Sequence, residues 1–283
     1  MEATHAPASA SAGLRGATLD ERYENLVAII RSLDSVVIGF SGGTDSALLL
    51  KVATDHLGER ALAITAVSPS FPQRDKREAI ELAASWGAKH LLIESHEFEQ
   101  PGYVANTPNR CFFCKQELFD ILWTVARERG YSSIAYGAIT DDLGDFRPGM
   151  DAALKAGARA PLLESGLGKT DVREISRRLG LKTWDRPASA CLSSRIPHGT
   201  SIDAAQLGRV EHCEDFLLQN GFTQVRVRAH GDVARIECPV ADLPRLVEPL
   251  LSTRLAARFK ELGFRYVTVD IEGYRTGSLN PVR

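Results

Sequence analysis

No apolar run in the 283-residue sequence approaches the roughly 18 to 20 residues that cross a bilayer; Val36-Val37-Ile38-Gly39-Phe40 is typical of the longest. A membrane span is excluded, and no membrane partner is expected. An excess of one charge is missing too. The 34 Lys and Arg against 36 Asp and Glu leave a net charge of -2, so no broad positive field exists to hold a nucleic-acid backbone, and none is expected as partner. The Ala- and Ser-rich start, Met1 to Gly16, has no basic segment followed by an apolar one. It reads as a disordered tail over 1–19 of a cytoplasmic protein rather than a secretory signal. Cysteines are few, and their number, five, is odd. In a reducing compartment that points to metal or nucleophile chemistry, not a disulfide framework. Internal repeats are absent. What is present, 44% hydrophobic and 25% charged residues, can bury a sizeable core, and the length suits two domains.

The first strong pattern is a β-branched run, Asp34 to Phe40, followed by Ser41-Gly42-Gly43-Thr44-Asp45-Ser46 and an apolar helix over 47–56. This is strand, glycine turn, helix. Strands over 61–67, 90–94 and 133–136 then alternate with helices over 73–86 and 115–129, which predicts a parallel α/β sheet. Sites in such sheets lie beyond the C-terminal strand ends, where Ser41, Ser68 and Gly137 would fall. A helix over 171–179, capped by Lys169-Thr170 and Gly180, closes this domain (20–185). Residues 186–201 show no period of 2 or 3.6 and read as a functional linker loop. Beyond it, a helix (204–220), a hairpin (224–229 and 233–238, turned by His230-Gly231-Asp232), a helix (243–262) and a strand (266–271) predict a smaller α+β domain over 202–283, for substrate binding or oligomerisation.

Two stretches and one further cysteine carry chemistry. In Ser41 to Ser46 the glycines let the backbone approach a polyanion, consecutive N–H groups and hydroxyls donate to phosphate oxygens, and a helix N-terminus adds positive potential. A Walker A motif is excluded because no Gly-Lys-Ser/Thr follows. Arg110-Cys111-Phe112-Phe113-Cys114-Lys115 sets two thiols at CxxC spacing where a loop meets a helix, able to aim both sulfurs at one metal centre. No second CxxC follows, which argues against a four-ligand zinc site. A redox disulfide of Cys111 and Cys114 is the other reading but follows no thioredoxin-like strand pattern, and Cys191 is the natural third metal ligand. Cys213 and Cys238 read as ordinary buried thiols.

The chain resembles two nested families. Ser41 to Ser46 is similar to the SGGxDS signature of the PP-loop ATP-pyrophosphatases. Together with Arg110 to Lys115, Asp141-Asp142 through Gly149, Pro187 to Arg195, and Arg226-Val227-Arg228 through Glu237, it resembles the LarE-type sulfurtransferases, from about residue 20 to the C-terminus. Gly137-Ala138-Ile139-Thr140 departs from the Gly-Thr/Ser-Asn expected there. The resemblance implies a Rossmann-like, adenine nucleotide alpha-hydrolase-like domain that splits ATP between the α and β phosphates. Ser41, Gly42, Gly43, Thr44, Asp45 and Ser46 would hold the pyrophosphate, and Asp45 would help hold Mg²⁺ or orient the loop. The substrate implied is pyridinium-3,5-biscarboxylic acid mononucleotide, whose carboxylate is adenylated and then displaced by sulfur, in building the nickel-pincer nucleotide cofactor.

The sulfur has two possible origins in this family. Either Cys191 gives up its own sulfur, or Cys111, Cys114 and Cys191 hold a [4Fe-4S] cluster that carries a hydrosulfide from a sulfide donor. Three thiols favour the cluster, since one sacrificial cysteine needs no companions. Arg226 and Arg228 alternate on a strand and could grip the substrate phosphate from one side, unless they line a solvated face. Arg195 could pair with a substrate carboxylate or the AMP phosphate and is counted with Cys191 and Asp45 as catalytic. Glu211 and Glu214 read as a solvent-facing pair or a second metal site. Lys169 could reach phosphate or lie exposed. Tyr274 to Asn280 carries no assigned role. A homo-oligomer is expected from the resemblance. A tRNA-thiolating PP-loop enzyme shares the ATP, cluster and sulfide, but would carry a basic module that residues 201–283 lack.

Overall fold

The computed structural model describes residues 16–144, 148–187 and 189–275. Most of the expected N-terminal tail, Asp145-Phe146-Arg147, Ala188 and the stretch from Thr276 onward lie outside the described residues. In chain order the elements are α1 (Leu19–Ser32), β1 (Val36–Gly39), α2 (Thr44–Leu57), β2 (Ala61–Val67), α3 (Gln73–Ser85) and β3 (Lys89–Glu94). Then follow α4 (Pro101–Val104), α5 (Arg110–Arg129), β4 (Ser133–Ala135), α6 (Pro148–Lys155), α7 (Pro161–Glu164) and α8 (Lys169–Arg178). The last group is α9 (Ala204–Gln219), β5 (Arg226–His230), β6 (Val233–Glu237), α10 (Leu243–Leu246), α11 (Pro249–Glu261) and β7 (Tyr266–Val269). Among the described residues no helix is long and apolar enough to cross a membrane.

The chain divides into two compact units. The first holds the described residues up to Val67, Gln73–His96 and 111–187. Its sheet is parallel, in the order β3-β2-β1-β4, with Val36 paired to both Ala61 and Ser133. Val36, Val37 and Ile38 are wholly buried, as a central strand covered on both faces requires. One layer of the core joins Leu26 and Ile30 of α1, Leu48 and Val52 of α2, and Val172 and Ile175 of α8. The other joins Val37, Leu62 and Ile64 to Phe119 and Leu122 of α5. This is the Rossmann-like sheet expected of a PP-loop domain. Strand order reverses at β1, which has β2 on one side and β4 on the other. That reversal opens a crevice beyond their C-terminal ends.

The second unit holds Ser68–Pro72, Glu97–Arg110 and residues 189–275. The sequence reading began the smaller domain at 202 and gave it neither of the first two segments. Its sheet order is β5-β6-β7, with β5 and β6 antiparallel and β6 and β7 parallel. Asp203 caps α9, its side chain accepting from Gln206 N at 2.8 Å, and Leu207, Val210, Cys213 and Leu217 of that helix pack with Val227, Ile236 and Phe259. The single helix expected over 243–262 is two. Pro249 opens α11, and a proline ring inside a continuous helix would clash with the preceding turn and lack the N–H that turn needs. The cap expected at Lys169-Thr170 moves as well: Gly168 is the N-cap of α8, and its N–H donates to Asp171 at 2.9 Å.

Candidate functional site

In the first unit, β1 runs out at Gly39 and the chain turns through Ser41-Gly42-Gly43 into α2. Gly42 has φ +72, and a Cβ there would come within 3.2 Å of the Ala79 Cβ. Only glycine meets both demands without strain. Gly43 is the N-cap of α2 and offers no side chain to its first turn, so a bound anion is the natural partner for those N–H groups. The Ser41 and Ser46 hydroxyls stand 3.1 Å apart, and Ser46 Oγ also donates to Gly43 O at 3.1 Å. The loop after β4 closes on the same turn. A Cβ on Gly137 would stand 2.9 Å from Ser46 N, so this glycine serves close packing at the strand-order reversal. The Thr44 hydroxyl is buried and donates to Thr183 O at 2.9 Å. With its hydroxyl spent on Thr183, Thr44 keeps only its backbone N–H to offer an anion.

Asp45 lies inside the first turn of α2, whose N-cap is Gly43. Lys169, first residue of α8, places Nζ 3.1 Å from each Asp45 carboxylate oxygen. Burial pushes the Asp45 carboxyl above the usual carboxylate range, Lys169 draws it down, and Asp142 adds to the upward push. Lys169 N also donates to Asp141 at 2.8 Å. The loop thus carries a cation beside an acidic group, a suitable arrangement for trading a magnesium ion and a phosphate.

Sequence reading missed Arg186. Its guanidinium donates to Gly42 O at 2.8 Å and to Asp75 at 2.9 Å, and pairs with Glu78. Placed at the head of an expected linker, one arginine gives no periodic signal, yet here it fastens the glycine turn to α3.

Cys111 and Cys114 lie within α5, which starts at Arg110, rather than ahead of a helix starting at 115. At i and i+3 they share one helical face; Cys111 is exposed and Cys114 half-buried. No cysteine forms a disulfide. Cys213 and Cys238 are buried, and burial pushes their thiols up to about 12 and about 11. Among the described residues, no three His, Cys, Asp or Glu side chains are gathered as a metal site. Cys111 and Cys114 are thus two thiols one turn apart on α5, with no third such ligand gathered beside them among the described residues.

In the second unit Cys191 precedes a 3₁₀ turn, Leu192–Arg195, and is half-buried. Leu192 N donates to Ser70 O at 2.8 Å, Ser193 Oγ meets Tyr103 Oη at 2.6 Å, and Arg110 donates to Ser193 O at 2.9 Å. Arg195 is wholly buried and bidentate on Glu214, at 2.9 and 3.0 Å. It therefore does not present its charge to a substrate, a correction of the catalytic role expected for it. Glu214 is likewise neither solvent-facing nor open to a second metal. Its burial raises its carboxyl, but Arg195 and Arg226 and the Val227 N–H outweigh that and hold it below the ordinary value. Arg226 and Arg228 do share a side of β5, and both are buried, which removes the solvated-face reading. Arg228 pairs with Glu237 at 2.8 Å and donates to Ser194 O at 2.9 Å. Arg226 lies over the Tyr274 ring at 5.3 Å, and burial, then Arg195, lowers its pKa.

Residues 22–120, which include this loop, match the NAD synthase family. The chain is 45% identical over 265 residues to an uncharacterized protein of Synechocystis sp., covering 93% of this chain and 98% of that one. It is 37% identical over 265 residues to the pyridinium-3,5-bisthiocarboxylic acid mononucleotide synthase of Lactiplantibacillus plantarum, over 93% of this chain and 95% of that one. The chain belongs to the LarE-type PP-loop family. An uncharacterized protein of Methanocaldococcus jannaschii is 28% identical over 91% of this chain and 94% of its own. As a LarE-type protein with the glycine loop described, it is an ATP-dependent enzyme.

Proposed function

We propose that this LarE-type enzyme adenylates a carboxylate of pyridinium-3,5-biscarboxylic acid mononucleotide and converts it to a thiocarboxylate, a step in nickel-pincer nucleotide cofactor synthesis. The observation that carries this reading is the Ser41–Ser46 turn at the strand-order reversal, with Gly137 packed against its helix start and Asp45 beside Lys169. N–H groups of the first turn of α2 and the Ser41 and Ser46 hydroxyls would hold the β and γ phosphates, and Asp45 a Mg²⁺ bound to them. A substrate carboxylate oxygen attacks the α phosphorus as pyrophosphate leaves with the bridging electron pair. The mixed anhydride then accepts sulfur at its acyl carbon, and AMP departs. Arg226 and Arg228, on one side of β5 and each slightly more open than Arg195, would anchor the mononucleotide phosphate, Arg228 by exchanging part of its hold on Glu237 and Ser194 O for it.

For the sulfur we propose carriage by a [4Fe-4S] cluster on Cys111, Cys114 and Cys191, loaded by a sulfide donor. Such a group, held by these three thiolates, would supply an iron able to carry a hydrosulfide. What supports it is the donor set: two thiols on one turn of α5 and a third that its turn holds half-exposed. The test is to reconstitute the protein anaerobically with iron and sulfide, incubate it with ATP, sulfide and the mononucleotide, and follow pyrophosphate, AMP and thiocarboxylate together by mass spectrometry. AMP forming in step with the thiocarboxylate upholds the reading; ATP cleavage with no sulfur in the product refutes it.

A further inference from the structure

The carbonyls flanking Cys191 are held by an unusual amount of buried charge. Arg195 Nη1 donates to Ala190 O at 2.6 Å, to Cys191 O at 2.9 Å and to Ser194 Oγ at 3.0 Å. Ser194 Oγ in turn donates to Cys191 O at 2.8 Å. The other edge of the same guanidinium is bidentate on Glu214, and Glu214 Oε1 also accepts Val227 N at 2.9 Å, between the two β5 arginines. Arg228 closes the circuit from the opposite side, through Ser194 O and Glu237. A buried ion pair of this kind stabilises a fold little better than apolar packing of equal volume, so its value here is sought in geometry rather than in stability. Here that geometry joins the backbone of Cys191 to the strand that carries Arg226 and Arg228.

We propose that Arg195 and Glu214 are positioning residues: they fix the turn that presents the Cys191 thiol and set its register against Arg226 and Arg228. The inference rests on the reading that Cys191 handles the sulfur and that the two arginines bind the substrate phosphate. Neither Arg195 nor Glu214 touches the reacting atoms in this assignment.

Arg195→Lys keeps the charge but replaces a planar fork by one ammonium, which cannot serve the carboxylate and both carbonyls together. Two readouts on the full-length protein are expected to move. Iodoacetamide should alkylate Cys191 about fivefold faster relative to Cys111 in the same sample, because the freed turn exposes its thiol. Sulfur transfer should lose about tenfold in kcat while KM for ATP stays within about twofold, since a misplaced group costs rate rather than ATP binding. If Arg195→Lys does not fold, the double variant Arg195→Met/Glu214→Leu removes both charges and is measured in its place. A folded variant in which the alkylation ratio and kcat both stay within about twofold of the parent overturns the proposal. Cys191→Ser separates it from the reading beneath: full sulfur transfer by that variant would sink the sulfur role of Cys191, whereas the alkylation ratio reports on the clamp alone.

Discussion

Lys169 holds both carboxylate oxygens of Asp45 at 3.1 Å, across a gap of 124 positions in the sequence. The pair joins the start of α2 to the start of α8, beside the Ser41–Ser46 turn. Burial raises the Asp45 carboxyl and Lys169 restrains that rise. The folded protein therefore binds this proton more tightly than the unfolded chain, and the stability lost to the buried carboxylate is recovered as pH falls through its folded pKa. Lys169→Met should push the Asp45 carboxyl further up, seen in a carboxyl-carbon NMR titration, and slow AMP formation by about tenfold. An unmoved Asp45 titration would show that the ammonium does not govern that carboxyl.

Gly137 shows how closely the two loops at the strand-order reversal approach. An added Cβ would meet Ser46 N at 2.9 Å and Asp45 C at 3.1 Å, both backbone atoms that cannot swing aside. Gly137→Ala should cost about 1–3 kcal/mol in urea unfolding, by overpacking, and should weaken ATP-dependent pyrophosphate exchange more than unfolding alone explains. Gly157→Ala, where a Cβ meets nothing within 4 Å but φ is +65, gives the control: strain alone of about 1–2 kcal/mol, with exchange retained.

Much of the first unit was legible because burial writes itself into sequence. Val36 to Phe40 is apolar on both faces, and a glycine turn followed by an apolar helix has few other foldings. The second unit's hairpin was readable from alternation around Gly231. What escaped was held by single long-range contacts. Arg186 reaches back 144 positions to Gly42, Arg195 forward 19 to Glu214, and Thr44 spends its hydroxyl on Thr183; none of these leaves a period or a spacing. The same blindness led Arg195 to be read as a substrate ligand: an arginine near a reactive cysteine looks alike in sequence whether it faces solvent or a buried glutamate.

Arg186 gives a test of the glycine turn that leaves the turn's own N–H groups and hydroxyls unaltered, since it bonds the Gly42 carbonyl. Its partner Asp75 is only 4% exposed, so Arg186→Met strips one cation from a buried carboxylate and frees Gly42 O. The expected loss is about 3 kcal/mol of stability, with a raised KM for ATP. Pairing it with Asp75→Leu should return most of the stability and leave KM raised, because the Gly42 carbonyl still lacks its donor. Recovery of both by the double variant would show that Arg186 acts on the fold and not on the turn.

The three thiols, Cys111 and Cys114 on α5 and Cys191 just before the Leu192–Arg195 turn, are tested one at a time. After anaerobic reconstitution with iron and sulfide, the parent should show the broad visible absorbance of a cluster, and Cys111→Ala, Cys114→Ala and Cys191→Ala should each abolish it. Multiple-turnover sulfur transfer should disappear with the colour. Peptide mass spectrometry after a single turnover then reads the sulfur source directly. An intact Cys191 peptide goes with cluster-borne sulfide, while loss of an H₂S equivalent from it means that the residue has given its own sulfur. Full multiple-turnover activity in Cys111→Ala would remove the cluster from the reaction, since two thiolates from separate stretches of chain cannot replace three without a new ligand.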